Sequence, residues 1–134
     1  MGVVSGIRQL AADCPQVDLA LSLHAPTQDM RQRIVSCTSP SAIECCLRAL
    51  RQVPSSSAFT VQKIMAAVDE YIHRSGRKVM IEYIVIGGTN DDEATAHQLG
   101  ALLAGRNIFC NLVCGRTNCV WYRVSSLCRA FNGP

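Results

Sequence analysis

Three groups of residues in this sequence could do chemistry. Eight cysteines stand at positions 14, 37, 45, 46, 110, 114, 119 and 128. Ser22-Leu23-His24 closes an apolar run, and a hydroxyl and an imidazole at a strand end can hold the polar ends of a small molecule. Glu82 lies inside the most apolar stretch of the chain, where a carboxylate is costly unless it is paired or faces a polar lumen. The thiols carry the weakest signal. None forms a CxxC pair, and the adjacent Cys45-Cys46 is a poor start for zinc, whose ligands must converge on one ion. They read as free thiols, so no metal ligand and no catalytic residue is assigned. Ser22 and His24 have a bland reading too, hydrogen bonding within a packed strand end. Glu82 suits a lumen or a salt bridge equally.

The elements that must position these residues follow from periodicity. Residues 2–12 place Val4, Ile7, Leu10 and Ala11 at helical spacing, and Pro15 closes that helix. Residues 17–24 alternate Leu19, Leu21 and Leu23 with Ala20, Ser22 and His24, predicting a strand with one packed face and one face toward a cavity. Thr27 caps a short helix running to Ile34. Residues 60–75 form an amphipathic helix on Val61, Ile64, Met65, Val68 and Ile72, capped by Thr60 and ended by Gly76. Residues 78–86 are the strongest strand. Asn90-Asp91 then shapes a loop, or simply turns the chain into a helix over 92–104 that Gly105 ends. Residues 107–113 form a third strand. His73 and His97 fall on solvated helix faces. This order predicts an α/β fold of parallel βα repeats, with function at the C-terminal strand ends.

Composition supports a buried core, with 49% hydrophobic and 17% charged residues. No apolar run reaches the ~20 residues that span a bilayer. Met1–Gly6 lacks the basic start of a secretory signal, so a soluble, cytoplasmic chain is expected, with an organellar address left open.

The motifs resemble one family. Leu19-Ala20-Leu21-Ser22-Leu23-His24-Ala25-Pro26 resembles the LAxSLHAP strand of the radical-SAM methyltransferases that methylate adenine C2 in large-subunit rRNA and some tRNAs. Arg31–Val35 resembles the RxxIxP helix end, Gly76–Tyr83 resembles GRRVTxEY, Gly88–Asp91 resembles GVND, and Cys110–Val113 resembles xNLI. The resemblance implies the C-terminal part of a (βα)6 partial barrel over residues 1–113. It implies Ser22, Leu23 and His24 as S-adenosylmethionine-binding residues. The intact family uses S-adenosylmethionine and a [4Fe–4S] cluster on rRNA or tRNA.

The departures set further expectations. The family's CxxxCxxC motif is not found in the 134 residues, and neither are its methyl-carrying cysteine and its PxNP asparagine, whose place Arg116 occupies. Joining Val35 to Pro54 restores the family's run, which marks 36–53 as an insert without counterpart. Residues 114–134 form a tail without counterpart. Insert and tail hold six of the eight cysteines and carry five arginines against one glutamate. The net charge of +3 is therefore no property of the family-like part and marks no RNA-binding face there. Translated intron sequence would explain both pieces; a lineage-specific insertion and a frameshift at the tail are the alternatives. The expectation is a fragment of the methyltransferase, inactive as this chain. The alternative is a non-catalytic βα interaction module or a degraded remnant, with open barrel edges that favour self-association.

Overall fold

A computed structural model describes residues 4–36 and 59–114. The elements run α1 (Val4–Asp13), β1 (Leu19–Ser22), α2 (Gln28–Ser36), α3 (Val61–Ser75), β2 (Val79–Val85), α4 (Glu93–Leu103) and β3 (Ile108–Cys114). The expected tail past residue 114, and the expected insert from residue 37 onward, lie outside the described residues.

The three strands form one parallel sheet in the order β1-β2-β3. Parallel neighbours need long crossovers, and α3 and α4 supply helical content to the two here. Strand alternation then splits the sheet into two unlike faces. Leu21, Val79, Ile81, Tyr83 and Val85 point to one face and are at most 2% exposed. On them pack Val4, Ile7 and Ala11 of α1, the α3 stripe Val61, Ile64, Met65 and Val68, and Ala96, Leu99 and Leu103 of α4. Each large apolar side chain in that layer contributes about 1.5–3 kcal/mol by leaving water. All of the helical mass in this cluster lies on one face. The residues between them in β2, Met80, Glu82 and Ile84, are only half-buried, and Phe109 and Val113 of β3 are exposed.

The ends of α3 behave as the sequence predicts. Thr60 holds extended backbone and its hydroxyl accepts from Lys63 N–H at 3.3 Å. Gly76 takes the left-handed conformation at φ 68°, and its N–H donates to the Ile72 carbonyl. Tyr71, fully buried, donates its hydroxyl to the Val17 carbonyl and so ties α3 to the approach to β1. Arg8–Glu70 and Arg106–Asp69 pair across elements on the surface, where such pairs add little.

One element is shorter than its pattern. The strand expected over 17–24 spans Leu19–Ser22. Val17 lies exposed ahead of it, and His24 adopts φ 60°, which no strand accommodates. A second, small cluster of Ala25, Ile34, Met30 and Ile86 places α2 across the C-terminal ends of β1 and β2.

Candidate functional site

The sheet's C-terminal end poses a hydrogen-bonding problem. β1 stops at Ser22, and the last ladder bond from its side is Leu23 N–H to the Glu82 carbonyl at 3.1 Å. β2 runs on to Val85, so its next polar backbone groups on the β1 side have no strand to meet. Buried backbone groups of that kind must find partners. Two side chains supply them. His24 Nδ1 accepts from Ile84 N–H at 3.2 Å. Asn90 Nδ2 donates to the Ile84 carbonyl at 2.8 Å and to the His24 carbonyl at 3.0 Å, while its Oδ1 accepts from Ile86 N–H at 2.6 Å. Asn90 is completely buried, and both of its amide protons are used.

The loop after β2 delivers Asn90 to this position. Asn90 N–H and Thr89 N–H both donate to the Ile86 carbonyl, and Asp91 Oδ1 accepts from Gly88 N–H at 2.8 Å. Asp92 then caps α4 by accepting from Thr95 N–H at 2.9 Å and from the Thr95 hydroxyl at 2.6 Å. These bonds, from the Thr95 side chain first, hold the Asp92 carboxyl below its usual range. Asn90-Asp91 therefore both shapes the loop and leads into a cap, the two readings the sequence left open.

The imidazole is electrostatically set. His24 is 7% exposed, and its pKa is lowered to about 4, first by burial and then by the positive charge of Arg31. Arg31 is itself buried on α2, which lowers its own pKa, and donates through Nη1 to the Phe59 carbonyl at 2.7 Å. Gln28 Oε1 accepts from Val61 N–H, so α2 is pinned to the start of α3. His24 is thus neutral at physiological pH. It is also packed back onto β2, which corrects the expectation that it continues the cavity-facing alternation of Ala20 and Ser22.

Below this strand end lies a polar row. The register pairs Ser22 with Glu82, and Glu82 with Asn111. Register partners in a parallel sheet point the same way, so hydroxyl, carboxylate and amide share the open face. Apolar rows flank them: Ala20, Met80 and Phe109 on one side, Ile84 and Val113 on the other. Glu82 forms no ion pair among the described residues and lies half-buried on this face. Leu23, in contrast, is 2% exposed and belongs to the helix-side core, so its side chain packs and only its backbone is available to a ligand.

The remaining candidates are plain. His73 and His97 are exposed on α3 and α4. Cys14 and Cys110 are not disulfide-bonded, and the other cysteine side chains lie outside the described residues. Among the described residues no three His, Cys, Asp or Glu side chains could hold a metal ion, and no helix is long and apolar enough to cross a membrane.

Similar proteins decide what this arrangement belongs to. No family model matches the chain. A probable dual-specificity RNA methyltransferase RlmN from Caldicellulosiruptor saccharolyticus is 33% identical over 113 residues, 84% of this chain and 28% of the relative. A probable RlmN from Frankia alni is 37% identical over the same length, 23% of that protein. A crystal structure of a radical SAM methyltransferase from Sphaerobacter thermophilus superposes with a TM-score of 0.76 at 28% identity, covering 97% of this chain and 35% of that one. The matched segment belongs to the radical-SAM RNA methyltransferase family. It spans about a quarter of the length of the curated relatives. The parallel sheet with helices on one face is the radical-SAM α/β architecture that the motifs implied.

Within that family segment, sequence reasoning missed two things. It did not see that Asn90 and His24 close one hydrogen-bonded unit, because their sequence separation is 66 residues. Nor did it select Asn111, whose alignment with Ser22 and Glu82 needs the register of both strand pairs.

Proposed function

We propose that this chain carries part of the S-adenosylmethionine cradle of a radical-SAM methyltransferase acting on adenine C2 of rRNA, and of tRNA in some relatives, and that the 134-residue chain is inactive by itself. The observation that supports the cradle is the polar row Ser22–Glu82–Asn111 on an otherwise apolar open sheet face, next to a rigid strand end. A nucleoside with a charged amino-acid tail needs such a mixture of apolar surface and a few fixed polar groups. Ser22, the backbone of Leu23, and His24 are the residues assigned to it.

The cluster is a different matter. A [4Fe–4S] cluster that cleaves S-adenosylmethionine needs three thiolates on one cube, and the described residues offer no such set. The cluster does not fit these residues, so the chemistry it supplies is left to protein sequence beyond them. What these residues do is orient a ligand and exclude water.

The test is direct. The chain, treated anaerobically with iron and sulfide, is incubated with labelled S-adenosylmethionine, reductant and RNA. Neither 2-methyladenine nor 5′-deoxyadenosine is expected. Turnover abolished by His24→Ala would overturn the inactive-segment reading.

A non-catalytic interaction module is the second reading, and exposed Phe109 and Val113 on the open face favour it. A stable, colourless monomer after the same treatment, with no affinity for S-adenosylmethionine, would select it.

A further inference from the structure

We propose that His24 is held as a single tautomer, with Nδ1 unprotonated and the proton on Nε2, and that Asn90 is the positioning residue that maintains this state.

Four observations carry the assignment. First, Ile84 N–H points at Nδ1 from 3.2 Å. An imidazole can meet a backbone N–H only with the lone pair of an unprotonated nitrogen, so Nδ1 cannot carry a proton, and flipping the ring would set a carbon against the N–H. Second, a neutral imidazole has one proton to place, which leaves it on Nε2. Nε2 makes no hydrogen bond among the described residues. Third, the backbone of His24 is left-handed at φ 60°, a conformation that a non-glycine residue keeps only when its surroundings enforce it. The enforcing contact is the Asn90 amide on the His24 carbonyl. Fourth, the same amide grips β2 on both sides of Val85, at the Ile84 carbonyl and Ile86 N–H. One side chain therefore fixes both the donor and the acceptor of the Nδ1 bond.

A donor of this kind recognises a carbonyl, a carboxylate or a ring nitrogen, and it does so without adding charge. Beside a cationic sulfonium ligand an uncharged donor avoids repulsion that an imidazolium would introduce. The identity of that acceptor rests on the cradle reading above; the tautomer does not.

The experiment is long-range ¹H–¹⁵N correlation spectroscopy on the full chain with labelled histidine, His24 being assigned from His24→Gln. The wild-type ring is expected as one tautomer, Nδ1 bare and Nε2 protonated. In Asn90→Ala and in the smaller change Asn90→Ser, the pattern is expected to average toward a tautomer mixture, with far-UV circular dichroism retained in at least the serine variant. A wild-type ring protonated on Nδ1, or already averaged between tautomers, overturns the proposal without any variant. A locked ring that survives in folded Asn90→Ser overturns the role of Asn90. Titration with S-adenosylmethionine reads the ligand separately. A shift at Nε2 supports the donor role, and a locked ring that S-adenosylmethionine leaves unmoved overturns the cradle reading while the tautomer stands.

Discussion

Replacing Asn90 by alanine is expected to lower the stability of the chain by about 3 kcal/mol. The substitution strands three backbone groups at once: the His24 carbonyl, the Ile84 carbonyl and Ile86 N–H. A buried polar group left without a partner costs about 1–3 kcal/mol, and water entering the vacated space recovers part of the sum. Asn90 is fully buried, so a small cavity adds to the loss. Urea unfolding followed by circular dichroism measures it, as a fall in midpoint with an unchanged slope. Asn90→Leu keeps the volume and discards the hydrogen bonds. It should lose as much as alanine, which separates bonding from packing. A loss below about 0.5 kcal/mol in both variants, the range of an ordinary surface change, would show that the strand end does not depend on this amide.

Acid should weaken the fold well above the pH at which carboxylates titrate. His24 has a folded pKa of about 4 against an ordinary value of 6.5. In that interval the unfolded chain binds the proton more readily than the folded one. Stability is therefore complete above pH 6.5, falls as the pH drops toward 4, and levels off below. The full loss is about 3 kcal/mol at roughly 1.4 kcal/mol per unit. Its causes are the burial of the ring, then Arg31, and the proton would also take the lone pair that meets Ile84 N–H. Asp92, whose pKa is lowered, adds a smaller loss in the same direction at lower pH. Unfolding midpoints between pH 8 and 4 test this against His24→Gln, in which the step should vanish. A flat profile in the parent chain would mean that His24 charges freely.

How much of this was legible in the residues depends on distance along the chain. α3 was readable to its caps because the apolar stripe, Thr60 and Gly76 all act within a few residues. The parallel order was readable because each pair of strands is separated by too much chain for a hairpin. β1 was read too long: the alternation of Leu19, Leu21 and Leu23 continues past Ser22, and periodicity carries no sign of the left-handed turn at His24. The His24 carbonyl at that turn is held by the amide of Asn90, far along the chain. The candidate site residues rest on the resemblance, and pattern alone leaves Ser22 and His24 indistinguishable from a packed strand end. For His24 that bland reading was partly right, since one ring nitrogen does hold the strand end together. Glu82 was legible as an anomaly in an apolar strand, whereas its row-mates required the register.

Residues that form a working part of a radical-SAM methyltransferase core should work when placed inside a relative. The most direct measurement places residues 4–35 and 54–113 of this chain into the Caldicellulosiruptor relative, in place of its matching segment, and assays the anaerobically reconstituted chimera for 5′-deoxyadenosine and for 2-methyladenine in RNA. Both products are expected, with both reduced at least about tenfold by His24→Ala, the size of one lost charge-neutral hydrogen bond of roughly 1.4 kcal/mol. A chimera that folds, holds its cluster and binds RNA yet cleaves no S-adenosylmethionine would contradict it.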